Sequence, residues 1–139
     1  MMRLVPDASV LAKLYFQEEH SAQCEHVIAA AAELVAPDLV WAELANIIWK
    51  RVGRKAIDHA EADDILAACL MLPIRILPTR GIAADALRLA NTTGRSVYDC
   101  LYLVVAIQEG CLLLTADRRL VNGLRSTPWA SHVRWVGEV

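Results

Sequence analysis

No stretch of the 139-residue sequence is apolar for long enough to cross a bilayer. Val27 to Ala36 is interrupted by Glu33, and Leu101 to Ile107 is too short. The opening Met1-Met2-Arg3-Leu4-Val5-Pro6-Asp7 reaches an acid before a signal-peptide core can form, so the expected location is cytoplasmic, with no membrane partner. Cys24, Cys69, Cys100 and Cys111 contain no CxxC pair and no zinc-ligand spacing, and they are expected to be reduced core residues. The chain lacks G-x-G-x-x-G and the P-loop, which argues against a nucleotide-binding enzyme, and it lacks G-x-S-x-G, which argues against a serine hydrolase. His20, His26, His59 and His132 show no paired spacing, which disfavours histidine-based acid-base chemistry and suggests surface positions. Positive charge is not in surplus either: 14 Lys and Arg face 16 Asp and Glu, for a net charge of -2.

What is present is a high apolar content, 56%, in a chain about one domain long, so residues 1–139 are expected to form a single compact unit. There are no repeats, low-complexity segments or linkers. Short Val-, Leu- and Ile-rich runs at Leu4 to Pro6, Leu34 to Ala36, Ile74 to Leu77, Cys111 to Leu114 and Val133 to Val136 alternate with helical patterns. Helices are expected over Ser9 to Phe16 and Ser21 to Ala32. A third is expected from Pro37-Asp38 to about Val52, where Gly53 stops it. Another is expected from the Asp58/Glu61 capping box to about Met71, then one from Thr79 or Arg80 to about Asn91, and one from Ser96 to Glu109, ended by Gly110. Strands alternating with helices give an α/β fold, a three-layer α/β/α sandwich around a mostly parallel sheet. Ligands in such folds bind beyond the carboxyl ends of the strands, where the strand order reverses.

Four acids stand out against this frame. Asp7 ends the first strand and Asp117 follows the fourth; either is also a good cap for a following helix. Glu43 falls within the stripe Val40, Leu44, Ile47 and Ile48, which aims a carboxylate at or beside the core; an ion-paired edge residue would look the same. Asn46 lies one turn further on. Asp99 lies in Val97-Tyr98-Asp99-Cys100-Leu101-Tyr102-Leu103-Val104-Val105-Ala106-Ile107, a helix apolar nearly all round. A lone buried carboxylate costs several kcal/mol unless it is protonated, paired or metal-bound, although Ser96-Val97-Tyr98-Asp99 also fits a capping box. Clustered together, these anions would need a cation, and all-oxygen donors select Mg2+ or Mn2+ over Zn2+. Setting the four aside turns the remaining charge positive, with cations concentrated at Lys50, Arg51, Arg54 and Lys55 and at Arg118-Arg119; a solvated helix face reads the same way.

The order and spacing of these segments resemble the PIN-domain ribonucleases, and among them the VapC-type toxins of toxin-antitoxin pairs, from Arg3 to about Trp135. Val5-Pro6-Asp7-Ala8-Ser9-Val10, Ala42-Glu43-Leu44-Ala45-Asn46, Ser96 to Tyr102 and Leu114-Thr115-Ala116-Asp117 carry the likeness. It implies that Asp7, Glu43, Asp99 and Asp117 hold Mg2+ or Mn2+ for hydrolysis of RNA phosphodiester bonds, with Thr115 supporting the fourth acid and Ser9 positioning the first. Asn46, Arg118 and Arg119 would meet the substrate. It also implies a homodimer and a cognate antitoxin protein, and Tyr15, Phe16, Trp41 and Trp49 are large aromatics suited to such an interface or equally to the core. Two departures from the pattern are visible: Pro6 stands where a β-branched strand residue is expected, so the strand should stop or bend before the acid, and Arg118-Arg119 stand where some relatives have a fifth acid. A catalytically silent PIN-fold interaction module and a phospho-receiver-like domain are the alternatives. The receiver would use Thr115 and a late lysine, but no lysine follows Lys55.

Overall fold

A computed structural model describes residues 2–139. Five strands form one sheet in the order β3-β2-β1-β4-β5: β1 Arg3–Pro6, β2 Glu33–Pro37, β3 Ile74–Leu77, β4 Leu112–Thr115 and β5 Val133–Trp135. All four pairings are parallel. Parallel neighbours need crossovers, and among the described residues seven α-helices supply them: α1 Ala8–Ala12, α2 Ser21–Ala30, α3 Leu39–Gly53, α4 His59–Leu70, α5 Thr79–Thr93, α6 Val97–Glu109 and α7 Arg118–Leu124. Among the described residues no helix is long and apolar enough to cross a membrane.

Side chains alternate across a strand, and here they feed two cores. Val5, Val35 and Leu113 pack into the larger one with α6, whereas Leu4, Leu34 and Leu114 face a smaller one with Cys24 of α2 and Val136. Helix α6 packs against β1, β2 and β4 on one side and α5 on another. That position explains why its sequence is apolar nearly all round: every residue from Cys100 to Ala106 is buried. Truncating a core residue such as Leu103 to Ala is expected to cost about 2–5 kcal/mol. The four cysteines are free thiols.

Several boundaries depart from the sequence expectation. Proline 6 does not stop β1; it pairs with Leu114, and the next amide, of Asp7, donates to the Leu114 carbonyl at 3.1 Å. Backbone donors alternate sides along a strand, so the amide that Pro6 lacks would point towards β2. Pro37 ends β2 rather than opening α3, and since the Asp38 amide donates to Leu77 on the β3 side, the donor missing from Pro37 would point towards β1. The β1/β2 ladder has already ended at Leu4 and Leu34, so neither proline leaves a pairing unmade. β4 runs one residue later than expected, which makes Thr115 its buried last residue. Helix α1 stops at Ala12, and Phe16 beyond it belongs to the core. α7 was not announced by an apolar pattern, because Asn122 and Gly123 interrupt it. His20 and His132 are half-buried rather than surface residues, His20 lying edge-on to Trp135.

At the amino end of the sheet, charges from four elements close a ring. Arg3 of β1 binds Glu33 of β2 (2.8 Å) and Glu109 of α6 (3.0 Å), while Arg75 of β3 binds the same two carboxylates (2.5 and 2.9 Å). Hydrogen bonds from Arg75 and then Arg3 hold the Glu33 carboxyl below its ordinary value of 4.5. A carboxyl depressed on folding contributes stability that is fully present above its unfolded value and is lost as the pH falls through the folded one. The melting temperature of Glu33→Gln is therefore expected to lie below that of the wild type at neutral pH, with the gap closing as the pH drops below about 4.5. A gap independent of pH would show that the ring does not act through this charge.

Candidate metal centre

β1 and β4 adjoin where the strand order reverses, and both deliver an acid just past their carboxyl ends. Asp7 caps α1: its carboxylate accepts from the Val10 amide at 3.0 Å and from the Ser9 hydroxyl. Asp117 caps α7, accepting from the Arg119 amide at 2.9 Å, and its own amide donates to the Thr115 hydroxyl at 3.0 Å. The two loops are tied together. The Ser9 hydroxyl that donates to Asp7 also accepts from the Ala116 amide at 3.2 Å, so one hydroxyl sets the first acid against the loop of the fourth.

Two helices bring the other pair. α3 starts directly after β2, and its buried stripe of Val40, Leu44 and Ile48 leaves Glu43 at the edge of the core. The Tyr102 hydroxyl, from the first half of α6, donates to Glu43 at 2.6 Å and fixes it. Asp99 lies on the first turn of α6, whose N-cap Ser96 accepts from the Asp99 amide at 3.1 Å. The full capping box seen at Asp58 and Glu61 is not formed here, which leaves the Asp99 carboxylate to the cleft.

Asp7, Glu43, Asp99 and Asp117 line one cavity of about 490 Å³, together with Ser9, Asn46 and Lys50. Burial, followed by the charges of Asp7 and Asp99, pushes the Glu43 carboxyl up against the pull of Tyr102. Burial and then the charge of Asp117 do the same at Asp99. At Asp7 burial outweighs the hydrogen bonds of Ser9, Thr115 and Val10. Among the described residues none of the four is in an ion pair. An unpaired set of partly buried hard oxygens suits a hard divalent cation, which would relieve both the burial and the repulsion. The donors stand around the cavity rather than already closed on one point: among the described residues no three are near enough to hold an ion as they stand.

A family profile for the PIN domain matches residues 4–123. The chain belongs to the PIN-domain family. It is 37% identical over 123 residues to Ribonuclease VapC3 of Pyrobaculum aerophilum, covering 87% of this chain and 94% of the relative. The crystal structure of PAE2754 from Pyrobaculum aerophilum superposes with a TM-score of 0.71 at 26% identity, covering 99% of this chain and 85% of that one. A toxin-antitoxin complex from Klebsiella pneumoniae contains a chain of the same fold, with a TM-score of 0.62 at 14% identity and coverage of 94% and 95%.

Not every residue expected at this PIN-domain site lines the cavity. Asn46 does, but Arg118 and Arg119 do not, and the Arg118 guanidinium lies 4.5 Å from the centre of the Trp135 ring. Arg51 turns from the expected basic cluster to pair with Glu18 and to lie over Phe16, 4.6 Å from its ring centre. Tyr98 and Tyr102 both line the cavity without having been singled out. The signal for Tyr102 was available, since a tyrosine inside an all-apolar helix must find a partner for its hydroxyl.

The raised carboxyls have a consequence for stability. An acid whose folded pKa exceeds its unfolded one destabilises the fold increasingly as the pH rises from the unfolded towards the folded value, and the deficit persists above both. Without divalent metal at neutral pH, Asp99→Asn is expected to melt a few degrees above the wild type. Mn2+ is expected to raise the wild-type melting temperature and to leave the variant nearly unmoved. A wild type indifferent to Mn2+ would remove the case for a metal centre.

Proposed function

We propose that this PIN-domain protein is an endoribonuclease that uses Mg2+ or Mn2+ to hydrolyse RNA phosphodiester bonds, and that it is the toxin of a toxin-antitoxin pair. The observation that carries the reading is the convergence of Asp7, Glu43, Asp99 and Asp117, from four separate parts of the chain, on one cavity, with none of them in an ion pair among the described residues. The identity to a protein named Ribonuclease VapC3 supports RNA as the substrate. Such a cation, when held, supplies charge to neutralise the scissile phosphate, acidify an attacking water and stabilise the leaving oxygen.

In this mechanism the four carboxylates are the ligands, and the protein contributes no nucleophile. Ser9 holds Asp7 in its rotamer while gripping the Ala116 amide, so the distance between the first and fourth ligands is fixed before substrate arrives. Thr115, buried at the end of β4, orients the Asp117 loop through that residue's amide. Tyr102 holds Glu43 at the cavity by a hydrogen bond that favours its ionised form against burial. Asn46 on the α3 wall would contact the RNA backbone; Arg118 and Arg119, outside the cavity, would meet RNA only beyond it. The products are a 5'-phosphate and a 3'-hydroxyl. A homodimer and a cognate antitoxin covering the cleft complete the reading, on the likeness to VapC-type toxins.

The test is incubation of purified protein with structured and unstructured RNAs in Mg2+, Mn2+ or EDTA. EDTA is expected to abolish cleavage, and Asp7→Asn and Asp99→Asn are each expected to lower the rate on the order of a hundredfold or more. Activity surviving in either variant at the wild-type rate would overturn the proposal and point to a contaminant or to another site. Tyr102→Phe removes the bond that lowers the Glu43 carboxyl, so the acid limb of its pH-rate profile is expected to move to higher pH. An unmoved limb would leave Tyr102 only a packing role.

A further inference from the structure

A second concavity, of about 330 Å³, adjoins the carboxylate cavity and shares Ser9, Ile47 and Lys50 with it. Its charge is opposite. Lys13, Lys50, Arg51 and Arg54 line it, against the single carboxylate of Glu18. Two of these cations are already engaged: Arg51 pairs with Glu18, and the Lys13 ammonium donates to the Glu19 carbonyl at 2.8 Å and lies 3.5 Å from Glu18. Lys50 and Arg54 are exposed and, among the described residues, have no ion-pair partner. Helices α1 and α3 both end here, and cations at helix ends complement the dipole. That accounts for charge at either end, but not for two ends sharing one basin that opens into an acidic cleft.

Along α3 the lining residues Glu43, Asn46 and Lys50 recur at spacings of three and four, a single face leading from the carboxylates to the basin. A strand whose scissile phosphate lies at the acids would have its neighbouring phosphates carried along this face. We propose that the basin is a phosphate subsite for the single-stranded RNA flanking the cleaved bond, with Lys50 and Arg54 as its free contacts. A group of cations that begins with Lys50 at the rim of the carboxylate cavity and continues beside it lets a chain of net charge -2 attract a polyanion locally without internal ion pairs at the four acids. The proposal rests on RNA as the substrate of the cleft. Because binding can be read in EDTA, where cleavage is blocked, its outcome is separable from whether the acids catalyse hydrolysis.

The experiment is fluorescence anisotropy of a labelled, unstructured 20-nucleotide RNA with the full chain in EDTA across a range of KCl concentrations. Each phosphate contact on a single strand contributes about 0.7 to the slope of log affinity against log salt. Lys50→Ala/Arg54→Ala is expected to flatten that slope by about 1.4 and to weaken binding on the order of tenfold at low salt. Arg125→Ala/Arg134→Ala, which makes the same change in net charge at exposed sites outside the basin, is expected to keep the wild-type slope. The melting temperatures of both double variants check that they fold. An unchanged slope in the basin variant, or an equal loss in the control, would overturn the proposal. So would displacement of polyglutamate, but not RNA, by the basin substitutions, which would assign the surface to an acidic protein segment.

Discussion

Burial of neighbouring carboxylates, with like charge added to it, is the constraint on which this molecule turns. Left alone, such a cluster costs free energy by desolvation and again by like charge, and a protein normally resolves it with arginine, lysine or a proton. Here four of the arginines are committed elsewhere: Arg3 and Arg75 to the ring at the far end of the sheet, Arg51 to Glu18, Arg118 to Trp135. The charge deficit at the cleft is thus not an accident of a cation-poor chain, because cations stand close by in the adjoining basin. A site kept free of internal partners is available to an external one.

The fold supplies the rigidity that such a cluster needs. Asp7 and Asp117 project from adjacent central strands whose register is fixed by two buried faces, and a slip of one residue would send Leu4, Leu34 and Leu114 to the wrong core. Ser9 then links the two loops through one hydroxyl. Helix α6 is buried along most of its length, so Asp99 and Tyr102 are carried on an element that cannot turn without disrupting the core. Its other end is clamped, since Glu109 joins Arg3 and Arg75. Precise placement of unfavourable charge at one edge of the sheet is balanced by satisfied charge at the other.

Much of this was legible in the sequence, because the signals were physical oppositions rather than motifs. An acid in an apolar helix (Asp99), an acid within an apolar stripe (Glu43) and acids at strand ends (Asp7, Asp117) each contradict their local pattern, and the structure gathers all four in one cavity. What the sequence concealed were relations between distant residues. Proline 6 read as a break, because the ending of the β1/β2 ladder at Leu4 cannot be seen from one strand. Arg51 read as part of a free basic run, because its partner Glu18 lies 33 residues away. The bond from Tyr102 to Glu43 spans 59 residues, and Tyr102 alone announced only that it needed some acceptor.

In the proposed reading these carboxylates feel one another and would be relieved by a divalent cation. The most direct measurement is a carbon-13 NMR titration of the side-chain carboxyls of Asp7, Glu43 and Asp99, with and without Mg2+. Midpoints above the ordinary values of 3.8 for the aspartates and 4.5 for the glutamate are expected in its absence, with a shift to lower pH when Mg2+ is added. Ordinary midpoints that do not respond to Mg2+ would contradict that reading.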